Sequence, residues 1–334
     1  MHAIIPLAGK GTRLRPHTLN TPKPLLKVAG KPVLSFILDD LKAVGVTDVV
    51  CVVGYMQDVI RSWIRTEYPE LNAHFVEQEV QDGTAGAVAL AEPFIDDEVL
   101  IVFADAVLEV DYSLARTLDP EYAGVIWAKE VENYQRFGVI VTREDGTMER
   151  IVEKPTEPIS KLANIGLYYI RDHELLFEGI HHTLDQEPGP SGEFYLTDAF
   201  QYMVDHDARI LTAPVEGWWD AGKPETLLET NGHLVEGARG GVDEDAGITD
   251  AEIVAPVRIE AGVTIRGGRI GPNVTLERGT TVADSEVRDS VVGRNVTLES
   301  VQLHDSLVGS ESILRGVTGS VSVTDHSVVE VDEG

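Results

Sequence analysis

Two glycines near the N-terminus stand where a chain could bind phosphate. Gly9 and Gly11 flank a single residue and are followed by Thr12 and Arg13. Because glycine has no side chain, backbone N–H groups at such positions can approach phosphate oxygens closely. Two glycines alone do not specify a phosphate site, but they make this loop the first candidate for one.

A lysine between two prolines follows ten residues later, in Thr21-Pro22-Lys23-Pro24-Leu25. Each proline fixes its own φ angle, and Pro24 biases Lys23 toward extended backbone. A side chain held in this way can be aimed at a fixed point. The plainer alternative is a proline-rich turn that carries a solvated lysine.

The distribution of charge favours a phosphate ligand. The chain has 27 basic and 56 acidic residues, a net charge of −29, yet residues 1–38 contain no acid. The basic residues of that stretch are Lys10, Arg13, Arg15, Lys23, Lys27 and Lys31. A local positive field on an acidic protein suits a small polyanion, whereas the acidic remainder repels nucleic acid and anionic membranes. The alternative is a basic edge that pairs with acids elsewhere in the chain.

Spacing excludes two common phosphate-binding motifs. A Walker A loop needs four residues between its first glycine and Gly-Lys-Ser/Thr, and this sequence lacks that arrangement. A dinucleotide fingerprint needs a third glycine at the position that Leu14 occupies. A phosphate site at this loop would therefore be of a different type.

Apolar runs predict the elements that must position these residues. Strand candidates alternate with helix candidates, which predicts an α/β domain with parallel strands in its sheet. The strand candidates are Ala3–Leu7, Val49–Val53, His74–Glu77, Val99–Phe103, Gly124–Ala128, Val139–Thr142, Ile165–Ile170 and Ile210–Val215. The helix candidates are Val33–Val44, Gln57–Glu67, Thr84–Ala91, His173–His182, Tyr195–His206 and Pro224–Glu236. Asp105 follows a strand at its carboxyl end, where open α/β sheets bind ligands.

The pattern changes near residue 237. Residues 237–250 are rich in glycine and acids and predict a linker between a domain at 1–236 and a second domain at 251–334. Beyond the linker, apolar residues recur every five or six positions from Ile253 to Ile313, which is typical of a parallel β-helix of about four to five coils. The absence of aromatic residues and lysine from 241–334 suits a thin solenoid, although an irregular β-rich tail is the alternative.

The composition predicts a cytoplasmic protein. We expect no membrane span, because no run of about 18 apolar residues occurs. We expect no signal peptide, because no charged region precedes the apolar N-terminal stretch. Cys51 is the only cysteine, so no intrachain disulfide can form, and a reducing compartment is the simplest interpretation.

The stretch LAGKGTRLRPHTLNTPKPLLKVAGKPVL resembles the signature of the sugar-1-phosphate nucleotidyltransferases. Further motifs follow in order: Gln78-x-x-Gln81-x-Gly83-Thr84-Ala85, Phe103-Ala104-Asp105, Arg136-Phe137-Gly138-Val139, Val152-Glu153-Lys154-Pro155, Asn164-Ile165-Gly166-Leu167-Tyr168, Gly192-Glu193-x-x-Leu196-Thr197-Asp198 and Trp218-Trp219-Asp220-x-Gly222. The resemblance covers residues 1–235 and implies a Rossmann-like mixed sheet followed by a left-handed parallel β-helix. It also implies the reaction, in which a nucleoside triphosphate (NTP) and a sugar 1-phosphate give an NDP-sugar and pyrophosphate.

The resemblance assigns roles to the matching residues. Arg13 and Lys23 would be catalytic, neutralising the departing pyrophosphate and holding the reacting phosphates. Asp105 and Asp220 would hold Mg²⁺, which prefers oxygen ligands. The nucleotide would be bound by Leu7, Ala8, Gly9, Gly11, Thr12, Gln78, Gly83 and Thr84. The sugar phosphate would be bound by Gly138, Glu153, Lys154, Asn164 and Glu193. The family usually has glycine where Ala104 stands, and this methyl group could crowd the nucleotide.

The motifs leave the base open. A glutamine amide at position 78 offers one donor and one acceptor, which match O4 and N3–H of uracil or thymine. The QxxQxGT spacing resembles the pyrimidine-using members, but GTAGAVALA also resembles the mannose-1-phosphate guanylyltransferases. We favour dTTP or UTP with glucose 1-phosphate and keep the guanylyltransferase as the alternative.

Other classes of function compete with this one. A glycosyltransferase would carry Asp-x-Asp, but only the first aspartate is present at Asp105-Ala106-Val107. A regulatory homologue that only binds NDP-sugars would commonly lack one of the catalytic or metal-binding residues, and none is missing here. An added acyl-transfer activity would depend on His304 or His326, which are more typical of solvated turns. We expect the β-helix to join subunits into a homo-oligomer and to brace the catalytic domain without taking part in chemistry.

Overall fold

The computed structural model describes residues 1–189 and 191–331, which fall into two compact units. The first unit holds residues 1–10, 36–104 and 108–218, and the second holds 11–35, 105–107 and 219 onward. The structure therefore groups two short segments, 11–35 and 105–107, with the C-terminal part of the chain. The predicted division into residues 1–236 and 251–334 assigned both segments to the N-terminal domain instead.

The elements that precede the β-helix begin with the expected alternation of strands and helices, whereas the four strands between residues 124 and 170 follow one another without an α-helix. Within the described residues the helices are α1 (Val33–Ala43), α2 (Gln57–Glu67), α3 (Thr84–Ala89), α4 (Leu114–Thr117), α5 (His173–Leu184), α6 (Leu196–Asp205) and α7 (Pro224–Glu236). The strands are β1 (His2–Pro6), β2 (Lys27–Val28), β3 (Lys31–Pro32), β4 (Asp48–Val53), β5 (Asn72–Glu77), β6 (Val99–Val102), β7 (Ala106–Glu109), β8 (Gly124–Glu130), β9 (Gly138–Thr142), β10 (Met148–Glu153), β11 (Leu162–Ile170), β12 (Ile210–Pro214) and β13 (Gly217–Asp220). Short 3₁₀ helices lie at Thr12–Leu14, His17–Leu19, Lys23–Leu25, Glu92–Phe94 and Tyr134–Arg136.

A nine-stranded mixed sheet forms the centre of the first unit. Its strand order is β10-β9-β11-β6-β1-β4-β5, and β8 pairs with both β11 and β12. Strands β1, β4, β5 and β6 are parallel, as the alternation predicts, whereas β11 runs antiparallel to β6, β8 and β9. All four residues of β6 are buried, as is typical of a parallel strand in the interior of a sheet. The mixed sheet confirms the predicted fold class.

The second unit contains a parallel β-helix. Its strands are β14 (Gly241–Val242), β15 (Gly247–Thr249), β16 (Glu252–Ile253), β17 (Val257–Ile259), β18 (Thr264–Ile270), β19 (Val274–Leu276), β20 (Thr281–Val287), β21 (Val291–Val292), β22 (Thr297–Glu299), β23 (Gln302–Leu303), β24 (Leu307–Val308), β25 (Ile313–Arg315), β26 (Thr318–Gly319), β27 (Ser322–Val323) and β28 (Val328–Glu330). Paired residues are 17 apart between β17 and β19, 16 apart between β21 and β24, and 15 apart between β24 and β27. Two faces of the described helix hold six strands each. Five of each six lie after residue 250, in agreement with the expected four to five coils, and β14 and β15 precede that residue.

The β-helix begins inside the segment expected to be a linker. Strands β14 and β15 lie within residues 237–250 and pair in parallel with β17 and β18. Glycine and acidic residues occur there because the corners of the first coil are exposed, not because the chain lacks regular structure.

The five-to-six residue repeat places apolar side chains inside the coils, with one exception. Ile259, Leu276 and Leu298 are fully buried, as predicted. Ile313 was the wrong residue for the last step of the repeat, because Leu314 is fully buried and pairs with Leu298. The step from Val308 to Leu314 is six residues, as it is from Val292 to Leu298 in the preceding coil, so the repeat itself is unchanged.

Buried serines connect neighbouring coils. The hydroxyl of Ser290 donates to the carbonyl of Arg288 at 2.6 Å and accepts the N–H of Ser306 at 3.1 Å. The hydroxyl of Ser306 donates to the carbonyl of His304 and accepts the N–H of Val321 at 3.0 Å. The hydroxyls satisfy backbone groups that the corners would otherwise leave unpaired.

No helix among residues 1–189 and 191–331 is both long and apolar enough to cross a membrane.

Candidate active site

Gly11 and Lys23 pack against each other in the second unit. Gly11 has a φ of 59°, and a Cβ built on it would lie 2.9 Å from Lys23 Cβ and 3.0 Å from Thr18 Cγ2. The Thr18 hydroxyl donates to the Gly11 carbonyl at 2.8 Å. Both the positive φ and the close approach require glycine here. The loop thereby fixes the stem of the lysine that the sequence singled out.

The residues around Gly11 divide into exposed and buried groups. Gly9, Thr12 and Arg13 are exposed, so their backbone or side-chain donors are accessible to a ligand. Leu14, which replaces the third glycine of a dinucleotide fingerprint, is fully buried and anchors the 3₁₀ helix Thr12–Leu14. Leu7, at the end of β1 in the first unit, is buried, and its N–H donates to the carbonyl of Val52 at 2.6 Å.

Lys23 also lies near the two aspartates expected to hold metal. Its Nζ is 3.4 Å from Asp105 Oδ2. A Cβ built on Gly222 would lie 2.8 Å from Asp220 Oδ1 and 3.6 Å from Lys23 Nζ, so Asp220 lies beside the same amine. The N–H of Ala221 donates to the carbonyl of Asp105 at 2.8 Å. The second unit thus brings together one cation and two carboxylates that are far apart in sequence.

The carboxylate of Asp220 is held in one orientation. Its Oδ1 accepts the N–H of Gly222 at 2.8 Å, and its Oδ2 accepts the hydroxyl of Thr226 at 3.1 Å. Each oxygen keeps a free lone pair, because an ionised carboxylate has about four acceptor positions. The Asp105 side chain is 55% exposed and is therefore open to a ligand. An oxygen-only donor set of this kind fits Mg²⁺, which commonly binds one or two carboxylates, waters and substrate phosphates.

In the first unit the amide of Gln78 is already engaged. Gln78 is buried, and its Nε2 donates to Asp82 Oδ1 at 3.1 Å and to the carbonyl of Gly83 at 3.3 Å. The Oε1 of Gln78 takes part in neither of these hydrogen bonds. The side chain therefore presents an acceptor to a ligand, instead of the donor–acceptor pair expected from the sequence. Gln81 Nε2 donates to the carbonyl of Ala8 at 2.8 Å and links this motif to the end of β1.

Gly83 and Thr84 are used to connect two parts of the first unit. A Cβ on Gly83, whose φ is 123°, would lie 2.3 Å from the carbonyl oxygen of Phe194. The hydroxyl of Thr84 accepts the N–H of Leu196 at 2.9 Å, at the start of α6. These contacts give both residues a structural role beside the nucleotide contact that we expected.

Gly138, Glu153 and Asn164 form a second cluster in the first unit. A Cβ on Gly138 would lie 2.2 Å from Asn164 Nδ2 and 2.9 Å from Glu153 Oε2. Asn164 Nδ2 donates to the Gly138 carbonyl at 3.1 Å, and the Tyr168 hydroxyl donates to Asn164 Oδ1 at 2.5 Å. The Thr197 hydroxyl donates to Glu153 Oε2 at 3.3 Å. The structure therefore unites three residues that the sequence assigned to the sugar phosphate.

Burial raises the pKa of the Glu153 carboxyl above its usual range. Lys154 opposes this shift, with its Nζ 3.7 Å from Glu153 Oε1, as does the hydrogen bond from Thr197. Asp198 and Glu193 raise the pKa of Glu153 further by charge repulsion, and Lys154 Nζ also lies 4.8 Å from the centre of the Tyr195 ring. Lys154 and Glu193 are thus both near Glu153, so all five predicted sugar-phosphate residues belong to one region of the first unit.

Comparison with known proteins identifies the family. Residues 2–237 match the family model described as Nucleotidyl transferase. The chain belongs to this family. It is 32% identical over 330 residues to the bifunctional protein GlmU of Methanocaldococcus jannaschii, an alignment that covers 92% of this chain and 78% of that protein. It is 30% identical over 361 residues to a glucose-1-phosphate thymidylyltransferase of Streptomyces antibioticus, covering 99% of both proteins.

A solved structure shares the fold. The nucleotidyl transferase resembles the crystal structure of a UDP-glucose pyrophosphorylase complexed with UDP-glucose, with a TM-score of 0.63 and 22% identity over 70% of this chain and 97% of that one. The likeness at this identity supports the mixed α/β fold, and the family resemblance predicted from the sequence motifs is confirmed by the family model.

Several residues of the site were not singled out from the sequence. Thr197 and Gln81 stand inside the motifs, and their contacts with Glu153 and Ala8 could have been suspected from that position. Tyr168, which donates to Asn164, also stands inside a motif. Asp82 and Thr226 act on Gln78 and Asp220 through hydrogen bonds, and no local sequence signal distinguishes them from ordinary polar residues.

The raised pKa of Glu153 predicts a pH-dependent gain in stability from Glu153→Gln. Because the folded protein favours the protonated carboxyl, ionisation of Glu153 destabilises it as the pH rises through the raised pKa. The glutamine cannot ionise and can still accept the hydrogen bond from Thr197. We expect Glu153→Gln to raise Tm at pH 8 and to leave it unchanged at pH 4, as measured by thermal unfolding.

The control for this measurement is Glu144→Gln, at an exposed position of the same unit. We expect no change of Tm from it at either pH. A Tm for Glu153→Gln below that of the natural protein at pH 8 would show that Glu153 is not under strain from burial.

Proposed function

We propose that this nucleotidyl transferase joins an NTP to a sugar 1-phosphate and releases pyrophosphate. The observation that carries the proposal is the cluster of Lys23, Asp105 and Asp220 beside the glycine loop. A cation and two carboxylates that can hold a metal are what a nucleotidyl transfer requires, because the chemistry depends on positioning and charge neutralisation. The relatives named for glucose 1-phosphate and UDP-glucose support the same reaction class.

In the reaction a phosphate oxygen of the sugar 1-phosphate attacks the α-phosphorus of the NTP. A new P–O bond forms there, and the bond from the α-phosphorus to the pyrophosphate oxygen breaks, so that pyrophosphate carries away the electron pair. The amine of Lys23 stabilises charge on the reacting phosphates, and Arg13 stabilises charge on the pyrophosphate. Backbone N–H groups of Gly9, Gly11 and Thr12 bind the triphosphate.

We further propose that Asp105 and Asp220 hold Mg²⁺. When bound, the ion supplies positive charge against the phosphates. No group of three or more His, Cys, Asp or Glu side chains suited to a metal occurs among the residues that the structure describes. Two carboxylates are nevertheless enough for Mg²⁺ if substrate phosphates and water complete its ligands.

The sugar phosphate is assigned to the cluster around Gly138. Glu153 can accept hydrogen bonds from two sugar hydroxyls, and Asn164 keeps one N–H beyond its bond to Gly138. Lys154 is 44% exposed and can pair with the phosphate. Glucose 1-phosphate is the sugar that we favour, and Glu193 contributes to the same region.

For the base we favour thymine or uracil. The Oε1 of Gln78 can accept N3–H of either pyrimidine, because the N–H groups of that amide are directed to Asp82 and Gly83. Guanine also presents an N–H on the corresponding edge, so a guanylyltransferase that uses mannose 1-phosphate is the alternative.

We also propose that the protein forms a homo-oligomer through the β-helix. Val328 and Val331, near the end of the described helix, are 63% and 56% exposed, and a second copy could cover them. Light scattering of the full chain should give a multiple of the single-chain mass, and Val328→Lys should lower it. A single-chain mass at all concentrations would refute the proposal.

Removing the charge of Lys23 or Asp220 should strongly reduce turnover. We expect Lys23→Ala and Asp220→Asn each to lower kcat by about 100-fold, a loss of about 3 kcal/mol in transition-state stabilisation. Pyrophosphate release at saturating Mg²⁺ measures this effect. Lys129→Ala, in the sheet of the first unit, serves as the control for loss of a lysine. Near-natural turnover in either site variant would refute its assignment, and no release by the natural protein would indicate a regulatory homologue.

The base preference should depend on Gln78. We expect dTTP and UTP to be used better than ATP or GTP, and Gln78→Ala to narrow that preference by about 5- to 100-fold, because a missing buried hydrogen bond costs about 1–3 kcal/mol. The ratio of kcat/KM values across the NTPs is the measurement. A preference for GTP with mannose 1-phosphate would contradict the pyrimidine assignment and leave the reaction class unchanged.

A further inference from the structure

An ion pair holds the segment that carries Lys23 to the β-helix. We call residues 11–35 the lysine segment; it contains Gly11, Arg13 and Lys23 and lies in the second unit with the β-helix. Lys27 Nζ is 2.6 Å from Glu277 Oε2, and the glutamate side chain is only 5% exposed. The pair joins residues 250 positions apart in the chain.

The pair is sensitive to loss of either partner. Burial raises the pKa of Glu277, while the positive charge of Lys27 and its hydrogen bond lower it. A buried carboxylate is expensive to desolvate and is tolerated only when it is paired. The position of Glu277 in the β-helix therefore determines where the amine of Lys27 lies.

Lys27 is coupled to Lys23 through a short, ordered stretch of backbone. The 3₁₀ helix Lys23–Leu25 ends with the N–H of Leu26 donating to the carbonyl of Lys23 at 3.1 Å. Leu25 is buried, and β2 begins at Lys27. A displacement at Lys27 is thus transmitted to Lys23 instead of being absorbed by a flexible loop.

A second contact fixes the other end of β2. The N–H of Ala29 donates to Asn231 Oδ1 at 2.9 Å, and the hydroxyl of Thr275 donates to the same oxygen at 2.7 Å. Asn231, on α7, is fully buried and donates through Nδ2 to the carbonyl of Asn273 at 3.2 Å. Lys27 and Ala29 are therefore both held against the β-helix, directly or through α7.

The β-helix itself has no need of a glutamate at position 277. The corresponding corners of the next two coils carry Gly293 and Gly309, whose N–H groups make the same kind of backbone bond, to Val308 and Val323. A cavity of about 420 Å³, lined in part by Lys27 and Glu277, lies beside these glycines. The corresponding corner of the preceding coil also carries a glutamate, Glu260, so the carboxylate is absent from the two coils that follow but is not confined to position 277. Glu277 is the glutamate that pairs with Lys27.

We propose that Glu277 is a positioning residue for nucleotidyl transfer, which through Lys27 fixes the lysine segment so that Lys23 meets the reacting phosphates. This inference rests on the proposed function of Lys23. It gives the β-helix a part in the chemistry, where the sequence suggested only assembly and bracing.

The test compares Glu277→Ala with Glu277→Gln and with Glu299→Ala. Glu277→Ala should lower kcat by about 10- to 100-fold with KM for the NTP little changed, because small misplacements of a reacting group have effects of that size. Glu277→Gln should retain most activity, since its amide oxygen still accepts from Lys27. Glu299 pairs with Arg315 on the neighbouring coil at an exposed site, so Glu299→Ala should behave as the natural protein.

Activity is expressed per folded molecule, from the Tm and the folded fraction of each variant. Hydrogen exchange of residues 11–27 supplies a second measurement that needs no substrate, and Glu277→Ala should increase it while Glu299→Ala should not. If Glu277→Ala folds poorly, Lys27→Met/Glu277→Leu replaces it, because removing both charges of a buried pair is often neutral for stability; its kcat should also fall.

The inference is overturned if Glu277→Ala or the double variant has the kcat of the natural protein. It is also overturned if activity falls only in proportion to the folded fraction of the variant. Equal losses in Glu299→Ala would overturn it as well. Lys23→Ala, measured in parallel, distinguishes the proposed role of Lys23 from the proposed role of Glu277. If Lys23→Ala remains active, the proposed function of Lys23 is wrong; if it is inactive while Glu277→Ala is natural, only the positioning role is wrong.

Discussion

The position of the Lys23 amine is the constraint on which the second unit depends. An amine 3.4 Å from one carboxylate and beside another is useful for phosphate chemistry only if its stem cannot move away. Gly11 provides the close surface against which that stem packs, and Leu14 anchors the same loop in the core. The lack of acids in residues 1–38 follows from this arrangement, because another carboxylate here would compete with the substrate for the same cation.

In the proposed function the first unit has a different requirement, which is to recognise polar groups of substrate without leaving its own polar groups unpaired. Gln78 and Asn164 are both buried, and each has part of its amide hydrogen-bonded inside the protein. Such bonds fix the direction of the remaining donor or acceptor before substrate arrives. Glu153 shows the cost of this preparation, since its burial disfavours the ionised form that would accept sugar hydroxyls. Burial of Glu153 therefore lowers the stability of the folded protein, as is common where function sets the environment of a residue.

Local patterns predicted the elements well because periodicity and helix termini are local properties. The bounds of α2 and α7 agree with the sequence prediction at both ends, and the motif residues of the sugar cluster come together as the resemblance implied. Contacts between distant residues could not be predicted in this way. The pairing of Lys27 with Glu277 depends on how many residues each coil contains, and the error at Ile313 shows that two adjacent apolar residues leave the inward position ambiguous by one. The orientation of the Gln78 amide likewise depends on Asp82, for which the sequence offered no signal.

The distance in sequence between the lysine segment and the β-helix has a consequence for synthesis. Lys27 is synthesised 250 residues before its partner Glu277. His17, whose Nε2 is 3.0 Å from the hydroxyl of Ser322, is synthesised 305 residues before that partner. At a translation rate of about 5–20 residues per second, the ribosome needs about 12–60 s to produce these partners. A nascent chain therefore exposes its most basic stretch, without the partners that later hold it, for most of the time that it is being made. During that interval the acid-free N-terminus is the part of the molecule most available to polyanions and chaperones in its surroundings.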